Sequence, residues 1–176
     1  METSDQLAAS LSRSRAALDA GSEAIGGLIA RIGTVAQQTA GQGCPAIAQR
    51  LQACQQLAAE ARQGVTGLRD VLGEMETGVR AVPQEASPQL VISVLAPVAQ
   101  RGGELPQSIH GIAEQLLGRV KQQIAVALQG GQPGLLLAAV EQAQQALARA
   151  AQEIRTTGEQ VGATIIRAQQ AGNAGN

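Results

Sequence analysis

Gly41-Gln42-Gly43-Cys44-Pro45 stands between two long stretches whose apolar residues recur at heptad spacing. Glycine adopts the backbone angles that end a helix, and proline is pre-set for the first turn of the next one. The stretch therefore reads as the tip of a helical hairpin. Gly130-Gly131-Gln132-Pro133 repeats the pattern further along, again between two apolar-striped stretches. Two tips predict two hairpins in tandem and an all-α fold.

Upstream of the first tip, Leu11, Leu18, Ile25 and Ile32 form one seven-residue series, and Leu7, Ser14, Gly21, Leu28 and Val35 the other. Such three-four alternation is the seam of a coiled coil. It predicts a first helix from about Asp5 to Ala40, weakened at Ser14 and Gly21 and prone to fray unless something packs on it. Downstream, the alternation is unbroken through Ile47, Leu51, Cys54, Ala58, Ala61, Val65, Leu68, Leu72, Met75, Val79 and Val82. This predicts a second helix from Pro45 to about Val82, stopped by Pro83. The short connection makes the two antiparallel.

Prolines at 83, 88, 97 and 106 and the Gly102-Gly103 pair set residues 83–106 apart. They read as an apolar linker holding one short helix, N-capped by Ser87 and kinked or ended at Pro97. A third helix is expected after Pro106, along Ile109, Ile112, Leu116, Leu117, Val120, Ile124 and Leu128. A fourth follows Pro133, with Leu136, Val140, Ala143, Leu147, Ala150, Ile154, Thr157, Val161, Thr164 and Ala168. Each residue of that last series lies 89 positions after its counterpart in the second helix. Leu116, Leu117 and Val120 lie 88 after Leu28, Ile29 and Ile32, so an internal duplication is the economical account. The expected organisation is hairpin 1 over 1–82, the linker over 83–106, hairpin 2 over 107–170 and a disordered tail over 171–176.

Composition narrows the function classes. The 176 residues contain no Phe, Trp or Tyr, and 13 basic residues face 14 acidic ones. Nucleic-acid binding uses a basic patch and stacking aromatics, so no nucleic-acid partner is expected. A core without aromatics must be spread thinly, which suits long slender helices forming an elongated four-helix bundle. Lys121 is the one lysine, and arginine with abundant Ala and Gly predicts a GC-rich bacterial source. The longest apolar run, Leu90 to Ala99, is far short of the ~20 residues of a membrane span. Met1 to Ala20 carry Glu2 and Asp5 without an apolar stretch. The expectation is a soluble protein, cytoplasmic or exported without a cleaved signal peptide.

Few residues invite chemistry. Cys44 and Cys54 are ten apart, and His110 is the only histidine, a poor match to the two-to-four-residue spacing of metal ligands. No metal, cofactor or catalytic residue is assigned, and the expectation is no enzyme. Cys54 holds a seam position and reads as a small buried hydrophobe, whereas Cys44, at the tip, is a candidate intermolecular thiol. Glu74 and Glu76, two apart, project to different helix faces. Gly158-x-x-x-Gly162 reads as close helix packing or as a chance spacing. The candidate interaction seam is Leu51, Val65, Leu68, Leu72, Val79, Leu136, Val140, Leu147, Ile154 and Val161, facing either the rest of the chain or a second chain.

With Gly41-Gln42-Gly43-Cys44-Pro45 and Gly130-Gly131-Gln132-Pro133 joining Ala/Leu/Gln-rich helices, the chain resembles actinobacterial helical-hairpin proteins of the WXG100 kind, exported by type VII secretion. That resemblance implies small leaderless hairpins that dimerise into four-helix bundles. The family's Trp-x-Gly turn and its Tyr-x-x-x-Asp/Glu export signal are both missing here, so no functional residue carries over. The reading that follows is a non-enzymatic helical interaction or scaffold protein, pairing with itself or another helical protein and associated with secretion. The alternative is an amphipathic coat on a lipid or polymer granule, using the apolar linker at Leu90 to Val98.

Overall fold

The computed structural model describes residues 3–83, 85–129, 131 and 133–174. Its elements are α1 (Thr3–Gly41), α2 (Pro45–Arg80), α3 (Pro88–Gly111), a π-helical segment (Ile112–Leu117), α4 (Gly118–Ala127) and α5 (Gly134–Ala174). The segments α3, π and α4 run on without a break as one rod. There are thus four rods, each about 55–60 Å long at ~1.5 Å per residue.

The first tip forms for the reason its glycines suggest. Gly43 has φ +78°, the left-handed region that favours glycine. Its N–H donates to Ala40 O at 3.1 Å, and the Cys44 N–H donates to Thr39 O at 2.9 Å. These two bonds are the Schellman closure of a helix end. Pro45 then opens α2, with no side-chain cap from Cys44. At the second tip, Gly130 and Gln132 lie outside the described residues. There Gly131 N–H donates to Leu128 O at 2.8 Å, and Leu136 and Leu137 N–H both donate to Pro133 O.

All neighbouring rods are antiparallel. Gly26 and Gly33 of α1 face Arg62 and Gln55 of α2. Cys54 and Glu74 of α2 meet Gln123 of α4 and Arg101 of α3. Lys121 of α4 pairs with Glu141 of α5, and Ser14 of α1 with Thr157 of α5. The last contact closes the ring, so the two hairpins share one core instead of standing side by side. Leu11, Leu72, Val98 and Val161, one from each rod, line an interior void of only about 10 Å³. The molecule exposes 9876 Å², against the roughly 8,000 Å² expected of a compact monomer of 17.9 kDa. The shape is a long four-helix bundle.

The weak points of the first helix are met by α5. Gly21 lies under the fully buried Leu147, whose Cδ2 would be 2.7 Å from a Cβ at that position. Ser14 is fully buried, and its Oγ lies 3.0 Å from Thr157 Oγ1. What breaks the apolar seam in the sequence is therefore matched, knob to gap and hydroxyl to hydroxyl, across the bundle. The fraying expected of this half of α1 is answered by packing.

Residues 83–106 depart from the linker expected there. The connection is only 81–87, and α3 starts at Pro88, capped by Ser87 Oγ, which accepts from Leu90 N–H at 3.3 Å. Helix then continues through Pro97 and Pro106. An interior proline costs about 3 kcal/mol, yet Leu95, Val98, Leu105 and Ile109 are all buried in the common core. At roughly 1.5–3 kcal/mol for each buried side chain, that burial is of the size needed to offset both prolines. Pro97 sits on the exposed side beside exposed Ser93, whose carbonyl it leaves to solvent. Pro106 leaves the Gly102 carbonyl without its helical donor, and there α3 approaches Gly158 of α5 so closely that a Cβ on Gly158 would stand 3.6 Å from Gly102 O. Gly158 thus does mark close packing, while Gly162 has nothing within 4 Å of an added Cβ.

A second departure lies at the other end. Of residues 171–176, expected as a disordered tail, 171–174 are the last turn of α5, where Gly172 lies against Pro88, and 175–176 lie outside the described residues.

The rod α3–π–α4 also changes phase. Its first half buries Leu95, Val98, Gly102, Leu105 and Ile109. Continued in the same alternation, that stripe would bury Ile112 and Leu116. Instead Ala113, Leu117, Val120, Ile124 and Ala127 are buried, one residue further on. A π turn takes up one extra residue, and it sits at Ile112–Leu117, where the shift occurs. The half-buried Ile112 is received by Gly64 of α2, where a Cβ would be 3.0 Å from Ile112 Cδ1. Accordingly α3 packs chiefly on α5 and α4 chiefly on α2.

Candidate functional site

The ten seam residues come together, but on the inside. Leu51, Val65, Leu72, Val79, Leu136, Val140, Leu147, Ile154 and Val161 are buried, and Leu68 is partly buried against the same cluster. In the closed chain they are core, so a partner would have to open the bundle to reach them.

The candidate chemical groups do not converge. Cys44 is exposed at the tip, and Cys54 is buried. Burial pushes the Cys54 thiol above its ordinary ionisation range, with a hydrogen bond at its own backbone partly opposing this. Its Sγ lies 3.7 Å from Gln123 Oε1. His110 is exposed on α3. Glu74 is exposed and pairs with Arg101 at 3.3 Å; Glu76 is buried and pairs with Arg80 at 2.6 Å and Arg15 at 3.9 Å. Among the described residues no cluster of three metal-binding side chains occurs, and no helix is long and apolar enough to cross a membrane.

What the rods leave open is the tip end. There α1, α4 and α5 enclose a groove of about 600 Å³ lined by Val35, Thr39, Leu128, Leu135 and Leu136, with Arg31 at its edge. Leu135 is 82% exposed, the most exposed large hydrophobic of the described residues. Its position follows from the local sequence. Leu135-Leu136-Leu137 is wider than one heptad stripe, so when Leu136 enters the core Leu135 must face outward. The three consecutive leucines are the signal for this surface, which the heptad series, counting Leu136 alone, passes over. Val126, 54% exposed, adds to the apolar surface of α4.

Residues 86–173, half of the chain, match the model of a family of unknown function, DUF6244. The chain belongs to this family. The DUF6244 match begins just before Pro88 and runs through α3, the π segment, α4 and nearly all of α5, so it covers nearly the whole second hairpin, including residues 86–106 of the stretch expected as linker. Comparison with curated proteins gave no match, and neither did comparison with solved structures.

Proposed function

We infer that this protein is a non-enzymatic helical interaction module that associates with a second copy of itself through the tip end of the bundle. The observation that carries this is Leu135, standing 82% exposed at the rim of an apolar groove. A knob beside its own matching hollow is self-complementary. A two-fold axis at the tip would seat each Leu135 in the groove of the other copy, the isologous arrangement of most dimers. The heptad seams are satisfied within the chain, so they leave the tip and the outer faces to a partner. In the WXG100 kind, which the chain resembles, two separate hairpins pair into four helices. Here one chain carries both hairpins, and further association takes place outside the core.

The coat reading has less apolar surface to draw on, because Leu95 and Val98 of its stretch are core residues of α3 and only Leu90 stands among the exposed large hydrophobics. Light scattering on a sizing column, with refractive-index detection over a hundredfold concentration range, tests the interaction reading. The wild type should shift from monomer to dimer as concentration rises, and Leu135→Glu should remain a folded monomer throughout. A wild type that is monomeric at every concentration, or a Leu135→Glu variant that dimerises equally well, contradicts it.

A further inference from the structure

Between α1 and α5, towards the chain termini, lies a pocket of about 400 Å³ lined by Gln6, Ser10, Arg13, Gln160, Thr164 and Arg167. Ser10 and Thr164 are 4% and 7% exposed, hydroxyls at positions where apolar side chains would stabilise the bundle more. Arg13 Nη2 donates to Ser10 Oγ at 2.9 Å, and Ser10 Oγ donates to Gln160 Oε1 at 2.8 Å. The relay holds one guanidinium in place. It also spends the acceptor end of Gln160, leaving the amino end without a protein partner among the described residues. Among the described residues neither Arg13 nor Arg167 forms an ion pair, and no carboxylate lines the pocket.

The other half of the molecule supplies a control. Positions related by the 88- and 89-residue offsets lie on α2 and α3, where Arg101 of α3 meets Glu74 of α2. There Gln6, Ser10, Gln160 and Thr164 correspond to Val94, Val98, Val71 and Met75. Val98 and Met75 are buried, so the fold is content with apolar residues at this place. Arg13 corresponds to Arg101, which is neutralised by Glu74 at 3.3 Å. The counterpart of Glu74 on α5 is Ala163. The α2–α3 contact is apolar with a paired arginine; the α1–α5 pocket instead carries hydroxyls, amides and a second arginine, with Ala163 where the carboxylate would stand.

We propose that this pocket is a binding site for a small phosphate or phosphate monoester. Two guanidinium groups match the charge of about −1.5 to −2 on such a ligand at neutral pH. Their forks, with the Gln160 amino group, offer more donors than a carboxylate has lone pairs to accept, and suit the several oxygens of a phosphate. The volume admits the phosphate with a small organic group attached.

Calorimetric titration with inorganic phosphate, and then with glycerol phosphate, tests the assignment in constant ionic strength. The wild type should bind saturably, and Arg13→Gln and Arg167→Gln should each weaken binding roughly tenfold or more. Ala163→Glu, which installs the carboxylate of the α2–α3 contact, should abolish binding while keeping the far-ultraviolet helical signal and raising the melting temperature. Arg50→Gln and Arg119→Gln, on the separate groove between α2 and α4, should bind as wild type. Phosphate also stabilises proteins generally by exclusion from their surface, an effect common to all variants. An absent saturable response, or an equal response in Arg13→Gln and Ala163→Glu, overturns the proposal.

Discussion

Cys54 shows how a residue's surroundings decide its chemistry. It is enclosed by the seam of α2, next to Gln123, and burial raises its thiol pKa. A free thiol ionises near pH 8.5, so above that value the unfolded chain loses a proton that the folded chain keeps. The stabilising contribution is full below this pH and is lost as pH rises through the higher, folded value. Urea denaturation followed by far-ultraviolet circular dichroism should show stability falling as pH rises above about 8.5, and Cys54→Ala should flatten that slope. Cys44, by contrast, is exposed on the turn at the tip. The identities of these residues are legible in sequence, and so are their different fates, because one holds a heptad position and the other follows a positive-φ glycine. Gly21 and Ser14 are different. Alone they look like flaws, and only Leu147 and Thr157, more than a hundred positions away, turn them into a fitted contact.

At the scale of the element, the third rod is where local rules and tertiary packing diverge. Its prolines at 97 and 106 argue for a break, and burial along α5 overrides them. The one-residue change of phase does leave a trace in the sequence, since Ile112-Ala113 and Leu116-Leu117 are doubled apolar positions, one member serving each register. Periodicity alone reads such doubling as a broad stripe. The π turn gives a specific expectation: deletion of the exposed Gln115 removes the extra residue and lets the rod run as plain α-helix in one register. Thermal melts should place that deletion within a few degrees of wild type. Deletion of the equally exposed Gln152, in the middle of α5, should unfold the protein, because it rotates every later core residue by about 100°. Equal sensitivity of the two sites would refute this account of the π segment.

For the whole molecule, two hairpins and an all-α bundle follow from two Gly/Pro tips and the period of the stripes, and both are present in the structure. The tip surface was less legible, because outward placement of Leu135 depends on which of three leucines the core takes. The pocket at Arg13 and Arg167 was not legible at all, being assembled from opposite ends of the chain. Both surfaces depend on the pairing of α1 with α5, which makes one core from two hairpins. A cysteine pair tests that pairing directly. Ser14 Oγ and Thr157 Oγ1 are 3.0 Å apart, close enough that Ser14→Cys with Thr157→Cys, in a chain also carrying Cys44→Ala and Cys54→Ala, should form a disulfide under mild oxidation. A bond within one chain is expected, on a monomer at low concentration with helical content unchanged. Failure to oxidise, or a disulfide found only between chains, would mean that the hairpins do not close on each other within one molecule.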